Sequence, residues 1–245
     1  MDGYSAVMPL IYKKKYGLKY IYQPFFTQQS GVFSKHGIDA DLLQKFIDSI
    51  PLKFIRVRMN LNRSCTFNLK SVTFHPNYVL DLSKPYPELF KLFSGNTKRN
   101  ITKADANKPV LSVNILPSDF VAFKKENAKL PISDKTWLCL TNLLDFYNSR
   151  GNLKIFGATE NNQLTSAVCF LFSKKRVYYL VSANNQRGME TASSFFLVNS
   201  LIRQMSGNPI ILDFEGSKIE GVARFFKGWG AVNEPYASYT RNLIF

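Results

Sequence analysis

The order of predicted strands and helices in residues 153–245 constrains the fold more than any other feature of this chain. Three apolar runs follow one another at short intervals and predict strands. Asn161 and Asn162 separate the first two runs, and Ser173 and Lys174 separate the second from the third, as turn residues do. Consecutive strands with tight turns form an antiparallel meander. The three strands are expected at residues 154–159, 164–172 and 176–181.

Two helices and two strands are predicted after this meander. Gly207 and Pro209 end the first helix, and a continuous apolar strand follows them. Ser217 and Glu220 have the spacing of a capping box, so the second helix is expected to begin at Ser217. The predicted order is therefore β-β-β-α-β-α-β. The expected bounds of the last four elements are 191–205 (helix), 210–214 (strand), 217–227 (helix) and 236–240 (strand).

Residues 1–95 repeat this order loosely and are expected to form a partial first unit. A basic turn, Lys13-Lys14-Lys15, is predicted between the first two strands. Because a strand pattern begins almost at the first residue, we expect the chain to be truncated at its N-terminus. Residues 96–152 are expected to be a helical linker and the opening of the second unit, and residues 153–245 its complete core. The other elements are expected at 5–12, 18–22, 54–60, 65–70 and 78–82 (strands) and 39–50 (helix).

Charge and cysteine content limit the classes of partner and compartment. The chain has 32 Lys and Arg against 17 Asp and Glu, a net charge of +15, which attracts polyanions. Cys65, Cys139 and Cys169 are far apart, and His36 and His75 have no companion at ligand spacing. We therefore expect no disulfide framework, no metal site and a cytoplasmic location. No apolar run has the length of a membrane span.

Three local motifs, taken with the element order, carry a resemblance to a known family. They are a Pro-containing loop at 23–31, a basic linker at 96–104, and the segments 213–217 (Asp-Phe-Glu-Gly-Ser) and 223–230 (Ala-Arg-Phe-Phe-Lys-Gly-Trp-Gly). The chain resembles the Fem-type aminoacyl-tRNA-dependent peptidyltransferases and their GNAT relatives. The resemblance implies the α+β (α/β) class, with tandem GNAT-like units that are each a mixed, mostly antiparallel sheet flanked by helices.

The same resemblance implies where an acyl donor binds. In GNAT folds the acyl carbonyl lies where the fourth and fifth strands diverge, which implies donor-binding roles here for Val181, Ser182, Ala183, Arg187 and Gly188. Relatives that use acetyl-CoA bind its pyrophosphate with the N–H groups of a glycine-rich loop. The corresponding residues 184–190 contain one glycine and end in a glutamate, which favours a charged tRNA over CoA. The donor is expected to be a co-substrate, with no tightly bound cofactor.

Acyl transfer to an amine also needs a proton acceptor and a proton donor. Asp213 and Glu215 alternate on a predicted strand, so both are expected to point to one face and to hold or deprotonate the amine. The structural alternative is that Glu215 forms an ion pair with Arg224. If it does not, Arg224 is expected to bind the substrate. Tyr236 and Tyr239 are expected to donate a proton to the leaving group, with ordinary packing as the alternative.

An amide-rich loop is the candidate acceptor site of the first unit. Gln23, Gln28 and Gln29 share it with Phe25 and Phe26, a combination that suits a sugar or peptide acceptor. The alternative is that these polar residues only form a turn, since a turn would have the same composition.

Three functional hypotheses follow from these observations. The first is an acyltransferase that moves an N-acyl or aminoacyl group from a charged tRNA or a thioester to an amine acceptor, such as a cell-wall precursor. The second is a non-catalytic binding protein for RNA or an anionic ligand on the same scaffold. The third is acetyl-CoA-dependent N-acetylation.

Overall fold

A computed structural model of the chain describes residues 3–113, 115–217 and 219–243. In chain order its elements are β1 (Ala6–Val7), β2 (Tyr12–Lys15), β3 (Leu18–Ile21), β4 (Phe33–Ser34), α1 (Ala40–Asp48), β5 (Phe54–Asn60), a 3-10 turn (Arg63–Cys65), β6 (Val72–His75), β7 (Tyr78–Asp81), α2 (Tyr86–Leu92), α3 (Gly95–Ala106), β8 (Val110–Ser112), α4 (Pro117–Glu126), α5 (Asp134–Asn148), β9 (Leu153–Glu160), β10 (Gln163–Phe172), β11 (Arg176–Asn184), α6 (Gln186–Glu190), α7 (Ser193–Met205), β12 (Ile211–Asp213), α8 (Glu220–Lys227), β13 (Val232–Asn233) and β14 (Tyr236–Asn242).

The chain divides into two units, of which the first is discontinuous. Unit 1 comprises Met1–Asn77 and Asn233–Phe245, and unit 2 comprises Tyr78–Val232. The expected boundaries at 95/96 and 152/153 do not coincide with this division. The reason is that β7, expected in the first unit, pairs with β12 of unit 2, whereas the C-terminal strand returns to unit 1.

Unit 1 is built on a five-stranded sheet with the order β2-β3-β5-β14-β6. One face of the sheet packs on α1, whose first turn is capped by Asp39 accepting a hydrogen bond from the N–H of Leu42. Leu43 and Ile47 of α1 join strand residues such as Val57 in the buried core. The predicted basic turn is wrong, because Lys13–Lys15 lie in β2 and the turn follows at Tyr16 and Gly17, both with positive φ.

The last strand corrects a second prediction. β14 was expected to close the core of the second unit, but it pairs antiparallel with β5 and β6 in unit 1. Ala237 and Tyr239 are buried in the core of unit 1, while Thr240 is exposed on the opposite face. Ser238, which lies between Ala237 and Tyr239, is buried as well, so the strand carries no side-chain pattern that specifies which sheet it joins.

Unit 2 contains the predicted meander. Its sheet has the order β13-β7-β12-β11-β10-β9-β8, in which β9, β10 and β11 are consecutive antiparallel neighbours. Asn161 and Asn162 form the β9–β10 turn with φ of 50° and 61°, the left-handed values that two-residue hairpins require. The apolar side chains of this sheet form the core of unit 2 with those of α7. The predicted α+β class, with mixed and mostly antiparallel sheets, is confirmed.

Two helix predictions in unit 2 need correction at their N-termini. The helix predicted at 191–205 is α7, which begins at Ser193 because Ala192 has φ of 57°, and a separate short helix, α6, precedes it in a segment that was expected to be a loop. The capping box at Ser217 does not form, because its hydroxyl accepts from the N–H of Ile219 and α8 begins at Glu220. A serine bonded to the backbone two residues on stabilises a turn instead of a helix.

In the part of the chain that the structure describes, no helix combines the length and apolar character needed to cross a membrane.

Candidate functional site

An opening in unit 2 lies where β11 and β12 diverge. The two parallel strands pair only at Arg176 with Ile211, Val177 with Leu212 and Tyr178 with Asp213. β12 ends at Asp213, whereas β11 continues to Asn184 along β10. On the side that faces β12, the backbone of β11 beyond Tyr178 therefore borders a notch instead of a neighbouring strand.

A β-bulge adjoins this notch. Cys169 of β10 pairs with Val181 and the next residue, Phe170, pairs with Tyr179, so Leu180 is an extra residue in β11. A bulge bends its strand and re-aims the side chains that follow. The bulge thus lies at the point where β11 parts from β12.

Two cavities border the end of β11. The first, which we call the β11–α8 cavity, has a volume of about 350 Å³ and is lined mainly by apolar side chains, among them Tyr179 and Phe225. The second, the α4–α5 cavity, has a volume of about 370 Å³ and is lined by Lys124, Lys129 and the segment after α4. Ser182, Asn184 and Met189 line both cavities.

Lys124 fastens α4 to the end of β11. Its Nζ donates a hydrogen bond of 2.7 Å to the carbonyl oxygen of Ser182. In an antiparallel strand the N–H and C=O of one residue point to the same side. The N–H of Ser182 therefore points toward the side on which Lys124 lies, where it can donate to an acyl oxygen.

Asp213 is held in a buried ion pair. The side chains of Arg176 and Asp213 are 6% and 2% exposed, and Arg176 Nη1 lies 2.5 Å from Asp213 Oδ2. Asp213 Oδ1 also accepts a 2.9 Å hydrogen bond from the N–H of Glu215. The expected pair of carboxylates on one strand face is wrong, because the strand ends at Asp213 and Glu215 has φ of 59°. Asp213 joins β12 to β11 and orders the following loop.

Glu215 has a carboxyl group with an unusual protonation equilibrium. Burial, and secondarily the charge of Asp213, raises the pKa of Glu215 to about 8. The expected Glu215–Arg224 pair is wrong, because Arg224 bonds Glu220 at 2.7 Å on the exposed face of α8. A carboxyl with this pKa is partly ionised near neutrality, as a general base must be.

Two residues with an implied donor-binding role, Arg187 and Gly188, form contacts within the protein. The N–H of Gly188 donates to Asn185 Oδ1 at 2.8 Å, and Arg187 Nε donates to Glu160 Oε2 at 2.7 Å. A Cβ added at Gly188 would overlap the carbonyl oxygen of Thr165, so this glycine permits close packing of α6 on β10. Arg187 and Gly188 are thus engaged within the protein.

The amide loop of unit 1 is likewise engaged in internal hydrogen bonds. Gln23 accepts from the N–H of Asn60, Gln28 donates to Asn77, and Gln29 accepts from the N–H of Arg63. These hydrogen bonds stabilise the conformation of the loop. They agree with the alternative stated above, that its polar residues form a turn.

The two tyrosines of β14 also belong to unit 1, whereas Asp213, Glu215 and Arg224 belong to unit 2. Tyr239 is 7% exposed in the core of unit 1, and burial raises its pKa. The ring of Tyr236 contacts that of His75, with their centroids 5.3 Å apart. The predicted proton donors therefore have packing roles in unit 1.

Sequence reasoning missed two residues that border the notch. Lys124 lies four residues after the buried Phe120, on the inward side of α4, and burial lowers its pKa. Tyr179 lines the β11–α8 cavity, and burial raises its pKa to about 12 against a smaller opposing effect of its hydrogen bond with Ser182. The available signal was the helical spacing of Lys124 from an inward phenylalanine.

Comparisons with known proteins address the fold. Neither a scan of protein-family models nor a search of curated proteins gave a match. Among solved structures, the chain is similar to FemX at a TM-score of 0.65 and 13% identity, covering 98% of this chain and 86% of that one. It is also similar to L-PGS from Bacillus licheniformis (TM-score 0.55, 9% identity, 98% and 82% covered).

A third similar structure is a GCN5-related N-acetyltransferase from Kribbella flavida, at a TM-score of 0.51 and 9% identity, covering 90% of this chain and 83% of that one. These similarities extend over nearly the whole chain and agree with the strand divergence in unit 2. The chain has the Fem-type GNAT fold.

Proposed function

We propose that this protein transfers an acyl or aminoacyl group to an amine acceptor at the notch of unit 2. The observation that carries the proposal is the divergence of β11 from β12 beyond Tyr178 and Asp213, with a cavity on each border of Ser182. This arrangement exposes a strand backbone to two ligands at once. Holding two reactants in contact is the main requirement of group transfer.

The side chains that line each cavity indicate which of the two reactants it suits. The β11–α8 cavity is lined by apolar groups such as Met189 and Phe225, which suit an acyl chain. The α4–α5 cavity presents Lys124 and Lys129, which suit a polar acceptor. The acyl carbonyl then lies beside Ser182, whose N–H donates to the oxygen as negative charge develops on it.

The amine nitrogen attacks the acyl carbon, a C–N bond forms, and the C–O or C–S bond to the donor breaks. The amine proton is assigned to Glu215, which lies two residues beyond the end of β12 at this divergence and whose pKa is raised to about 8. The hydroxyl of Tyr179 is protonated at neutral pH and lines the donor cavity, so it can donate to the leaving oxygen or sulfur.

Transfer assays at varied pH test this proposal. With aminoacyl-tRNA or acyl-CoA as donor, we expect amide formation whose rate rises as the pH rises toward 8 and levels off above it, because Glu215 must lose its proton to act as a base. Glu215→Gln should lower the rate at pH 8 by about 100-fold and remove this rise. Glu88→Gln, an exposed change on α2, is the matched control. Absence of turnover with every donor would refute the function.

We further propose an aminoacyl-tRNA as the donor, supported by a basic face of unit 1. Lys13 pairs with Tyr20, and Tyr20 with Arg56, so the three side chains share a face of the sheet with Lys15 and Arg58. The four cations are exposed, and strands β2, β3, β5, β6 and β14 contain no Asp or Glu. Cations beside an aromatic ring favour a nucleic-acid strand.

Replacing these four cations by serine is expected to weaken tRNA binding and to reduce its salt dependence. The slope of log K against log salt is negative, and each lost phosphate contact should reduce its magnitude by about 0.7–0.9. Filter binding at several salt concentrations measures the slope. Serine substitution of four exposed lysines elsewhere, Lys35, Lys45, Lys70 and Lys174, gives the same loss of charge. Equal slopes for the two variants would exclude this face from RNA binding.

A further inference from the structure

The α4–α5 cavity combines an incompletely satisfied cation with space for a ligand. Lys124, Asn127, Lys129 and Asn184 supply polar groups to its lining, and no Asp or Glu is among the residues that line it. A cavity of about 370 Å³ is large enough for a small organic ligand. Its charge is therefore positive and not balanced by its own wall.

Lys124 is the innermost of these cations. An ammonium group has three N–H donors, and the structure's described residues provide one acceptor for Lys124, the Ser182 carbonyl at 2.7 Å. Burial lowers the pKa of Lys124, whereas the nearby Cys169 thiol has a pKa raised well above its usual value by burial and stays neutral. A partly buried cation is stabilised strongly by a bound anion.

We propose that this cavity binds an anionic group of the acceptor, a carboxylate or a phosphate, through Lys124 with Lys129 at its entrance. The acceptor is then an amine that carries a negative group close to its nitrogen. This inference rests on the function proposed above, because it describes the molecule that receives the acyl group.

The distances limit how far the anion lies from the reacting amine. An oxygen bound to Lys124 Nζ lies about 2.8 Å from it, and Nζ is 2.7 Å from the Ser182 carbonyl. The anion is therefore within about 5–6 Å of the strand backbone that borders the notch. Only a few bonds can separate it from the amine, as in an α-amino acid or an aminoalkyl phosphate.

Paired acceptors test the proposal in the transfer assay. Glycine is compared with glycinamide, and O-phosphoethanolamine with ethanolamine, so that each pair differs in the anionic group. We expect a preference of about 10- to 100-fold in kcat/KM for the anionic member of at least one pair, the size of one charged hydrogen bond. The pair that shows the preference distinguishes carboxylate from phosphate. Equal kcat/KM within both pairs would overturn the inference and leave the function standing.

Variants of α4 separate charge recognition from a structural role of Lys124. Lys124→Met should remove the preference, because kcat/KM for the anionic acceptor should fall toward that for its uncharged partner, whereas Lys124→Arg should retain the preference. Lys125→Met removes the same charge from the exposed neighbour and should change neither quantity. A preference that persists in Lys124→Met would show that another group reads the anion.

Direct binding distinguishes failure of this inference from failure of the function. Inorganic phosphate and acetate are titrated into ¹⁵N-labelled protein, and the backbone amide resonances of Asn127 and Ala183, which line the cavity, are followed by NMR. Saturable shifts that are absent in Lys124→Met and present in Lys125→Met support the anion site even if no transfer occurs. Identical binding of both anions by the two variants, or no binding of either, would overturn it.

Discussion

Asp213→Ala is expected to lower the free energy of unfolding by about 3–5 kcal/mol. The substitution leaves the guanidinium of Arg176 buried, with its side chain 6% exposed, and removes the carboxylate at 2.5 Å that compensates it. It also removes the acceptor for the N–H of Glu215. Denaturant unfolding of both proteins at pH 7, followed by circular dichroism, measures the difference.

A double variant provides the control for Asp213. Arg176→Met with Asp213→Leu removes both charges and fills the same space, so its loss of stability should be smaller than that of Asp213→Ala. Loss of transfer activity in Asp213→Ala would then report a damaged β11–β12 pair. If the variant keeps the wild-type unfolding free energy and loses transfer, the structural role is wrong and Asp213 acts in the chemistry.

Gly188→Ala is expected to destabilise the protein by about 3 kcal/mol and to impair transfer. The added methyl overlaps the backbone carbonyl of Thr165, and a backbone atom cannot move aside as the end of a side chain can. Helix α6 must shift away from β10, which displaces Met189, a residue that lines both cavities. Thermal unfolding and the transfer assay together measure the two effects.

Gly221→Ala is the matched control for Gly188. Gly221 also lines the β11–α8 cavity, but its added methyl meets no atom within 4 Å. Since alanine is the better helix former, this change in α8 should be neutral or stabilising by up to about 1 kcal/mol. Similar losses of stability and activity in the two variants would mean that any methyl group added in this cavity disturbs it. The close contact of α6 with β10 would then not explain the effect of Gly188→Ala.

Local sequence signals predicted the elements that are stabilised by contacts between residues close in the chain. The meander β9–β10–β11 followed from apolar runs and asparagine turns, which act between residues close in the chain. The capping pattern at Ser217 failed because a serine hydroxyl can stabilise a turn as well as a helix start.

Long-range partners were not accessible to the same reasoning. The ion pair that holds Asp213 comes from Arg176, which is distant in sequence and brought close by the parallel pairing of β11 with β12. Lys124 meets Ser182 only because α4 packs on β11. No spacing rule relates such residues, so the predicted roles of Asp213 and Arg224 rested on neighbours along the chain.

The amino-acid sequence by itself determined the α+β class and the β9–β10–β11 meander, since apolar runs and turn residues act within a few residues. Only the tertiary structure decided that β14 belongs to unit 1 and β7 to unit 2. It also decided that the notch is bordered by Ser182, Lys124 and Tyr179. The physical reason is that a strand's side-chain pattern defines which face is buried, whereas its sheet partner depends on contacts between segments far apart in the chain.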